Sequence, residues 1–568
     1  MKQGLGLLLL LLFVPALHAQ TMGNCDPGNA SADLDVGDVR ARMYNRGGLF
    51  WQGSGNMYTV PKEGQANSIF AMSMWVGGLL EDGGYRFTGT AYGPWEYWPG
   101  PLNANGNPPA NCDKYDRMFS VYAEDIRAYD ANGTLTNDLR DWPHHLGAPV
   151  IDGDGIADNY DLAAGDRPRI YGEQSIWWVM NDAGNVKDWS TSPPIGLEVQ
   201  VQAFASSCLP LPGPSLRHFD GPISQTTFYR YTLIHKGQET LKDFYMGWWI
   251  DGDVGNAGDD YVGVDTTRRL GYFYNDADVD EGLDGYGDRP AAVGLTLVQG
   301  MQASFDGRDN DGNGFVDEPD ERLPFTDFLY YNGDSSVIGN PTSSSIEPYY
   351  YMTSRWRDGT PVTVGGSGFG GTEPTNFMFP GDPVTRSYWS EENTDGNGSR
   401  NTGADRRFVI SSGPLDFAPG DTTDFVLAVV WAQGEDRLSS VVALRGAADI
   451  AKSAVGTLMT ADPYACLGPP EPEMPDPNAL GYYILRQNYP EPFSQQTIIR
   501  YEVIDTVPVQ LTVYDLLGRR VRTLVNGVQD AGVYDVVFEA GDLPTGTYFY
   551  RLEAAGYVSI TRRMVLQR

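Results

Sequence analysis

The chain has 568 residues, enough at roughly 150 per domain for about three or four domains. With 41% apolar and 20% charged residues it is no disordered chain, and 68 Gly, 38 Pro and 12% aromatics point to many turns between half-buried strands. Forty Lys and Arg against 74 Asp and Glu leave a net charge of -34, which disfavours an anionic lipid surface as partner and all but excludes nucleic acid.

The first element is an address. Met1-Lys2-Gln3 precedes an apolar run from Leu5 to Val14, then Pro15 and the small-residue end Ala16-Leu17-His18-Ala19. This order predicts a secretory signal peptide over residues 1–19. The run is about half the ~20 apolar residues a membrane anchor needs, and no later segment predicts a transmembrane helix. Cys25, Cys112, Cys208 and Cys466 contain no C-x-x-C pair of the zinc or redox kind. Outside the cytoplasm their even number predicts two disulfides, with three pairings open.

Residues 20–215 read as an N-terminal β-rich region. Within it Asp152-Gly153-Asp154-Gly155-Ile156-Ala157-Asp158 places carboxylates at loop positions 1, 3 and 7, with a glycine for the sharp turn. That spacing suits a hard cation, and Asp152, Asp154 and Asp158 are candidate calcium ligands. Trp177-Trp178 and, later, Trp248-Trp249 predict strands in which one ring of each pair faces the core. The other ring would face out, where packing is the ordinary outcome and stacking on a sugar the functional one. Cys208-Leu209-Pro210-Leu211-Pro212-Gly213-Pro214 suits either a domain division near residue 215 or a loop inside one large domain.

Residues 216–467 read as a central β-rich domain. TTFYRYTLIH (226–235) and FYMGWWI (244–250) predict paired strands. Between residues 251 and 321 stand eighteen acids and four arginines, a crowding that needs a counter-ion or open water. Asp309-Asn310-Asp311-Gly312-Asn313-Gly314-Phe315-Val316-Asp317-Glu318-Pro319-Asp320 follows the EF-hand loop pattern, with Asp320 in place of the bidentate glutamate. Asp309, Asp311, Asn313, Asp317 and Asp320 would give side-chain oxygens and Phe315 a carbonyl. No long amphipathic helices flank this loop, so it predicts structural calcium in a β-rich frame. Two looser groups meet no fixed template: Asp276, Asp278, Asp280 and Glu281; and Asp251, Asp253 and Asp259.

DFVLAVVW (424–431) predicts a buried strand, and residues 436–457 a helix laying Leu438, Val441, Val442, Leu444, Ile450, Ala451, Ala454 and Val455 on a sheet. The proline-rich stretch 468–480 is a linker. Beyond it, short alternating segments separated by Gly, Pro and Asp predict a small Ig-like β-sandwich over 481–568. The fold class is therefore mainly β: a sandwich-rich multidomain body with one helix, plus a C-terminal sandwich.

In that last unit QNYPEPF (487–493), TIIRYEV (497–503), VYDLLGRRVRTLV (513–525) and LPTGTYFYRLEA (543–554), with a final arginine-bearing strand, resemble the type A sorting domain of the type IX secretion system. The resemblance implies passage of a folded protein through the outer membrane and contact with the secretion machinery and its sorting peptidase. It also implies attachment to surface lipopolysaccharide, or release. The body segments SIFAMSMWVGGL (68–79), WPGPL (98–102), GDRPRIYGEQSIWWVMNDAG (165–184), PIGLEVQVQAFA (194–205) and DDYVGVDTT (259–267) resemble a group of exported proteins with the same tail. That second resemblance implies no catalytic residue.

A catalytic signature is not legible. No H-E-x-x-H occurs, and Gly365-Gly366-Ser367-Gly368-Phe369 breaks G-x-S-x-G at its last place. His144, His145, His218 and His235 read as satisfied surface or core residues. The expectation is an exported, calcium-stabilised protein of structural, adhesive or binding type, with a secreted hydrolase on polysaccharide or protein as the alternative.

Overall fold

The computed structural model describes residues 22–51, 58–209, 221–282, 284–305, 307–309, 314–319, 321–461, 463–467, 483–503, 506–516, 518–554 and 558–567. The expected signal peptide, His218 and the proline-rich linker lie outside them. The chain divides into two compact units, one ending at Gly468 and one beginning at Pro469.

The first unit is built on two antiparallel sheets. One contains, in spatial order, Ser31–Leu34, Arg40–Tyr44, Gly48–Leu49, Ala71–Leu79, Leu241–Asp251, Arg406–Phe417 and Asp327–Asn332. The other contains Asp260–Asp265, Leu270–Asn275, Ala291–Gln299, Thr422–Gln433, Thr226–His235, Leu197–Ala205, Gln174–Asn181 and Trp98–Pro99. Residues 210–220 lie outside the described residues, but strands before and after them share both sheets and one apolar core, so both sides belong to a single body.

The strands expected to pair at 226–235 and 244–250 do not. Thr226–His235 pairs with Leu197–Ala205 and Thr422–Gln433, whereas Leu241–Asp251 pairs with Ala71–Leu79 and Arg406–Phe417. The two meet across the core instead, where the rings of Tyr231 and Trp248 lie 4.9 Å apart. Each strand has an apolar row to bury, and facing sheets bury two such rows at once.

The Thr422–Gln433 strand shows why its apolar run is unbroken. Phe425, Leu427, Val429 and Trp431 enter the core between the sheets, while Val426, Ala428, Val430 and Ala432 meet the helix on the opposite face. A strand covered on both sides has no polar row to alternate with.

That helix, Arg437–Thr460, is capped by Asp436. Its carboxylate accepts from the Ser439 amide at 2.7 Å, and the Ser439 hydroxyl accepts from the Asp436 amide at 2.8 Å. Val441, Leu444, Ala447, Ala448, Ala451, Ala454, Val455 and Leu458 are buried. Val442 and Ile450, expected on this face, point outward, because at 3.6 residues per turn they fall off the stripe that the small alanines form.

Two disulfides join Cys25 to Cys112 and Cys208 to Cys466, spanning 87 and 258 residues. A second tie is ionic. Asp182, fully buried, accepts from the amides of Ile195, Gly196 and Leu197 at 2.6, 2.9 and 2.7 Å and from Lys187 Nζ at 3.0 Å.

The second unit is the expected sandwich. Ile484–Leu485, Gln496–Val503 and Gly532–Glu539 form one sheet, and Arg520–Gln529, Val507–Asp515, Gly546–Ala554 and Val558–Leu566 the other. Ile499, Tyr501 and Val503 belong to one core with Leu511, Val513, Tyr550, Leu552 and Met564.

Both tryptophan pairs are buried, which corrects the outward rings offered as sugar platforms. Trp178 enters the inter-sheet core and Trp177 a satellite cluster with Val121, Ile126 and Trp142. Trp249, on the face opposite Trp248, is covered by Tyr92 at 4.9 Å between rings and donates its indole N–H to the Tyr331 hydroxyl at 2.6 Å. His235 is a core residue, its Nδ1 accepting from the Gly237 amide and its Nε2 bonded to the Glu239 carbonyl. His144 and His145 lie in a single 3-10 turn.

Candidate metal centre

Carboxylates converge at two places among the described residues: Asp152, Asp154 and Asp166; and Asp251, Asp253 and Asp405. In each trio one oxygen per residue lies within 4.8 Å of the others.

The first trio sits at the end of a short antiparallel pair, Val150–Ile151 with Arg167–Pro168, in which Ile151 faces Arg167. One step on, that register sets Asp152 opposite Asp166. A further step sets Gly153 opposite Gly165, where the backbones touch: a Cβ on Gly153 would lie 2.2 Å from the Gly165 carbonyl oxygen. Asp152 Oδ1 accepts from the Gly155 amide at 2.6 Å, and Asp154 Oδ1 from that of Ile156 at 2.7 Å. Such local bonds are the ordinary behaviour of aspartate in turns. Asp166 is buried, and the amides of Asp161 and Gly153 that donate to it hold its carboxyl below the usual range.

Asp158, expected as the third ligand, does not join this group. Its backbone is left-handed (φ 65°), and Asp166 stands in its place from across the ladder. A signal for Asp166 was present: Asp152-Gly153 and Gly165-Asp166 are mirror images about a hairpin.

The second trio also follows a ladder end. Asp251 closes the Leu241–Asp251 strand opposite Arg407, so two steps further the register sets Asp253 against Asp405. Asp251 is 1% exposed. Its Oδ2 accepts from the Tyr92 hydroxyl at 2.5 Å and faces Arg407 Nη2 at 3.4 Å, while its Oδ1 has no hydrogen-bond partner. Arg407 also reaches Asp405 at 3.0 Å. Burial, then the charge of Asp253, pushes Asp251 up to about 7, and burial, then Asp405, pushes Asp253 up to about 6.

Asp259, grouped in sequence with Asp251 and Asp253, instead lies near Asp280 and Asp276, and with burial they push it up to about 7. Asp260 is fully buried and raised well above the carboxylate range by burial, Asp253 and Asp259. Asp278 turns away to Arg437 at 3.3 Å. A cleft of about 290 Å³ opens beside these acids, lined by Asn67, Phe70, Asp253, Asn256, Glu281 and Asp284 among others.

The EF-hand-like loop is described only at its flanks. Asp311, Asn313 and Asp320 lie outside the described residues. Asp309 accepts from the Gly314 amide at 2.8 Å, Asp317 (φ 56°) accepts from the Gly307 amide at 2.9 Å, and the Phe315 side chain is exposed.

Away from these groups, burial pushes Glu391 up to about 7, against the opposing charge of Arg406, and Asp327 up to about 6. A carboxyl raised on folding contributes stability that is complete below its unfolded value and is lost as pH rises through its folded value. The melting temperature of chelator-treated protein should therefore fall between about pH 5 and about pH 8. A flat profile in fluorescence-monitored melts would contradict these shifts.

With the geometry in place, the relatives bear on the tail. Residues 487–567 match the family described as the secretion system C-terminal sorting domain. The tail is a type IX sorting domain. A chain bearing this domain is exported to the cell surface or secreted, and it engages the type IX machinery. Among the described residues no helix is long and apolar enough to cross a membrane. The match is confined to the second unit, and no curated protein matches the chain. Two solved structures align over 74% of it: a polysaccharide lyase at 7% identity and TM-score 0.17, and dimeric latent PorU from Porphyromonas gingivalis at 9% and 0.14. The chain spans 38% and 33% of their lengths, and scores this low carry no argument about the body.

Proposed function

We propose that the body is a calcium-stabilised β-rich structure that works outside the cell in surface architecture, adhesion or binding. In this reading the signal peptide over 1–19 begins the route and the sorting domain completes it. The sorting peptidase then removes the tail, leaving the body on surface lipopolysaccharide or free. The observation that carries the ion is the convergence of Asp152, Asp154 and Asp166 at a hairpin end closed by two touching glycines. A calcium-sized cation accepts such irregular oxygen sets, whereas magnesium demands a tight octahedron. Bound there, and in the Asp309–Asp320 loop, it would offset crowded charge and fix glycine-rich turns.

The purified full chain should melt higher in calcium than in chelator, an ion at a hundredfold excess over its Kd adding about 2.7 kcal/mol per site. Asp152→Asn with Asp154→Asn should remove one part of that shift, and Asp309→Ala with Asp311→Ala another. Equal melting in calcium and chelator would sink the reading.

A further inference from the structure

We propose that Asp251, Asp253 and Asp405 hold a divalent cation of calcium's size where the chain crosses from the first sheet to the second. This goes beyond the proposed function, because it uses neither of the loops named there. The crossing is the segment between the Leu241–Asp251 strand of one sheet and the Asp260–Asp265 strand of the other.

Convergence of three carboxylates is common without an ion, and a further observation singles this group out. Asp251 is 1% exposed, yet Tyr92 and Arg407 engage only its Oδ2, and Oδ1 accepts no hydrogen bond. A buried carboxylate oxygen left bare carries a desolvation cost that a ligated cation removes. Charge fits as well. Ionised, as ligands to a cation must be, the three carboxylates carry three negative charges, and the Arg407 guanidinium, bonded to Asp405 at 3.0 Å, offsets one. Two remain, the charge a divalent ion neutralises. Asp405 is about half exposed, at 49% of its side chain, so the site keeps an open side through which an ion can enter and keep part of its water. Asp260, fully buried with an Oδ1 that likewise has no hydrogen-bond partner, lies within electrostatic reach of Asp253.

The test uses the full chain, calcium and terbium(III) as a luminescent stand-in. Tyr92 touches Asp251 and stacks edge-on against Trp249 at 4.9 Å, so an ion here should be sensitised by ring excitation. In calorimetric titration, Asp253→Asn with Asp405→Asn should lose one equivalent of calcium and most of the sensitised terbium emission. In chelator the same variant should melt at or above the parent, because two crowded charges are gone. Should that pair fold poorly, Asp405→Asn alone, at a half-exposed position, should weaken one class of site at least about tenfold. Undiminished stoichiometry and emission would overturn the proposal, and so would a chelated variant that melts below the parent while binding calcium normally. Asp152→Asn with Asp154→Asn must remove a different equivalent, so the two readings can fail separately.

Discussion

Replacing Asp182 by asparagine should destabilise the body by about 3–5 kcal/mol, read from urea unfolding at neutral pH. Its carboxylate is fully buried, and so is Lys187, at 1% side-chain exposure. Burial pushes the Asp182 carboxyl up, but Lys187 and the amides of Leu197 and Ile195 outweigh it and hold the group below the ordinary range. Asparagine keeps the shape and loses the charge. One oxygen is replaced by an amide that meets donors where it needs acceptors, and Lys187 is left charged in a dry interior, bonded to the Phe87 carbonyl and the Thr88 hydroxyl, with the more distant buried Glu96 the acid whose charge still reaches it. Adding Lys187→Met to Asp182→Asn should recover part of the loss, because the orphaned charge goes with it. A loss below about 1 kcal/mol, the range of exposed pairs, would show that water reaches this site.

Converting Cys208 and Cys466 together to alanine should cost about 2–5 kcal/mol in non-reducing denaturant unfolding, toward the upper end of that range. The bond closes a loop of 258 residues, against 87 for Cys25 and Cys112. In the loop-entropy account that difference makes the longer link worth about 1 kcal/mol more. It fastens the chain beyond the Arg437–Thr460 helix to the chain just past the Leu197–Ala205 strand. Equal losses from the two bonds, or a larger one from Cys25 and Cys112, would count against loop entropy as the cause.

Much of the fold was legible because it rests on local periodicity. The alternation of the tail strands, the capped helix after Asp436 and the unbroken run at 424–431 all report burial on one face or two. What escaped depends on partners distant in sequence. Alternation sets one ring of Trp248-Trp249 outward, because nothing nearby in sequence announces that Tyr92 and Tyr331 cover the second face. The strands at 226–235 and 244–250 looked like a hairpin because adjacency in sequence cannot tell pairing in one sheet from facing across two. The acid groups divide in the same way. Asp152 with Asp154, and Asp251 with Asp253, are two residues apart and were found. Asp166 and Asp405 arrive across a ladder and depend on register, which only the folded strands supply.

That register carries a consequence for the order of assembly. Asp152 and Asp166 are brought together by one short hairpin, so their trio exists as soon as a local turn has closed. Asp253 and Asp405 meet only once the two distant strands that lead to them have paired. A cation captured at the hairpin would be an early guest and one captured at the crossover a later one, so loading at the second would report that these two distant strands have paired.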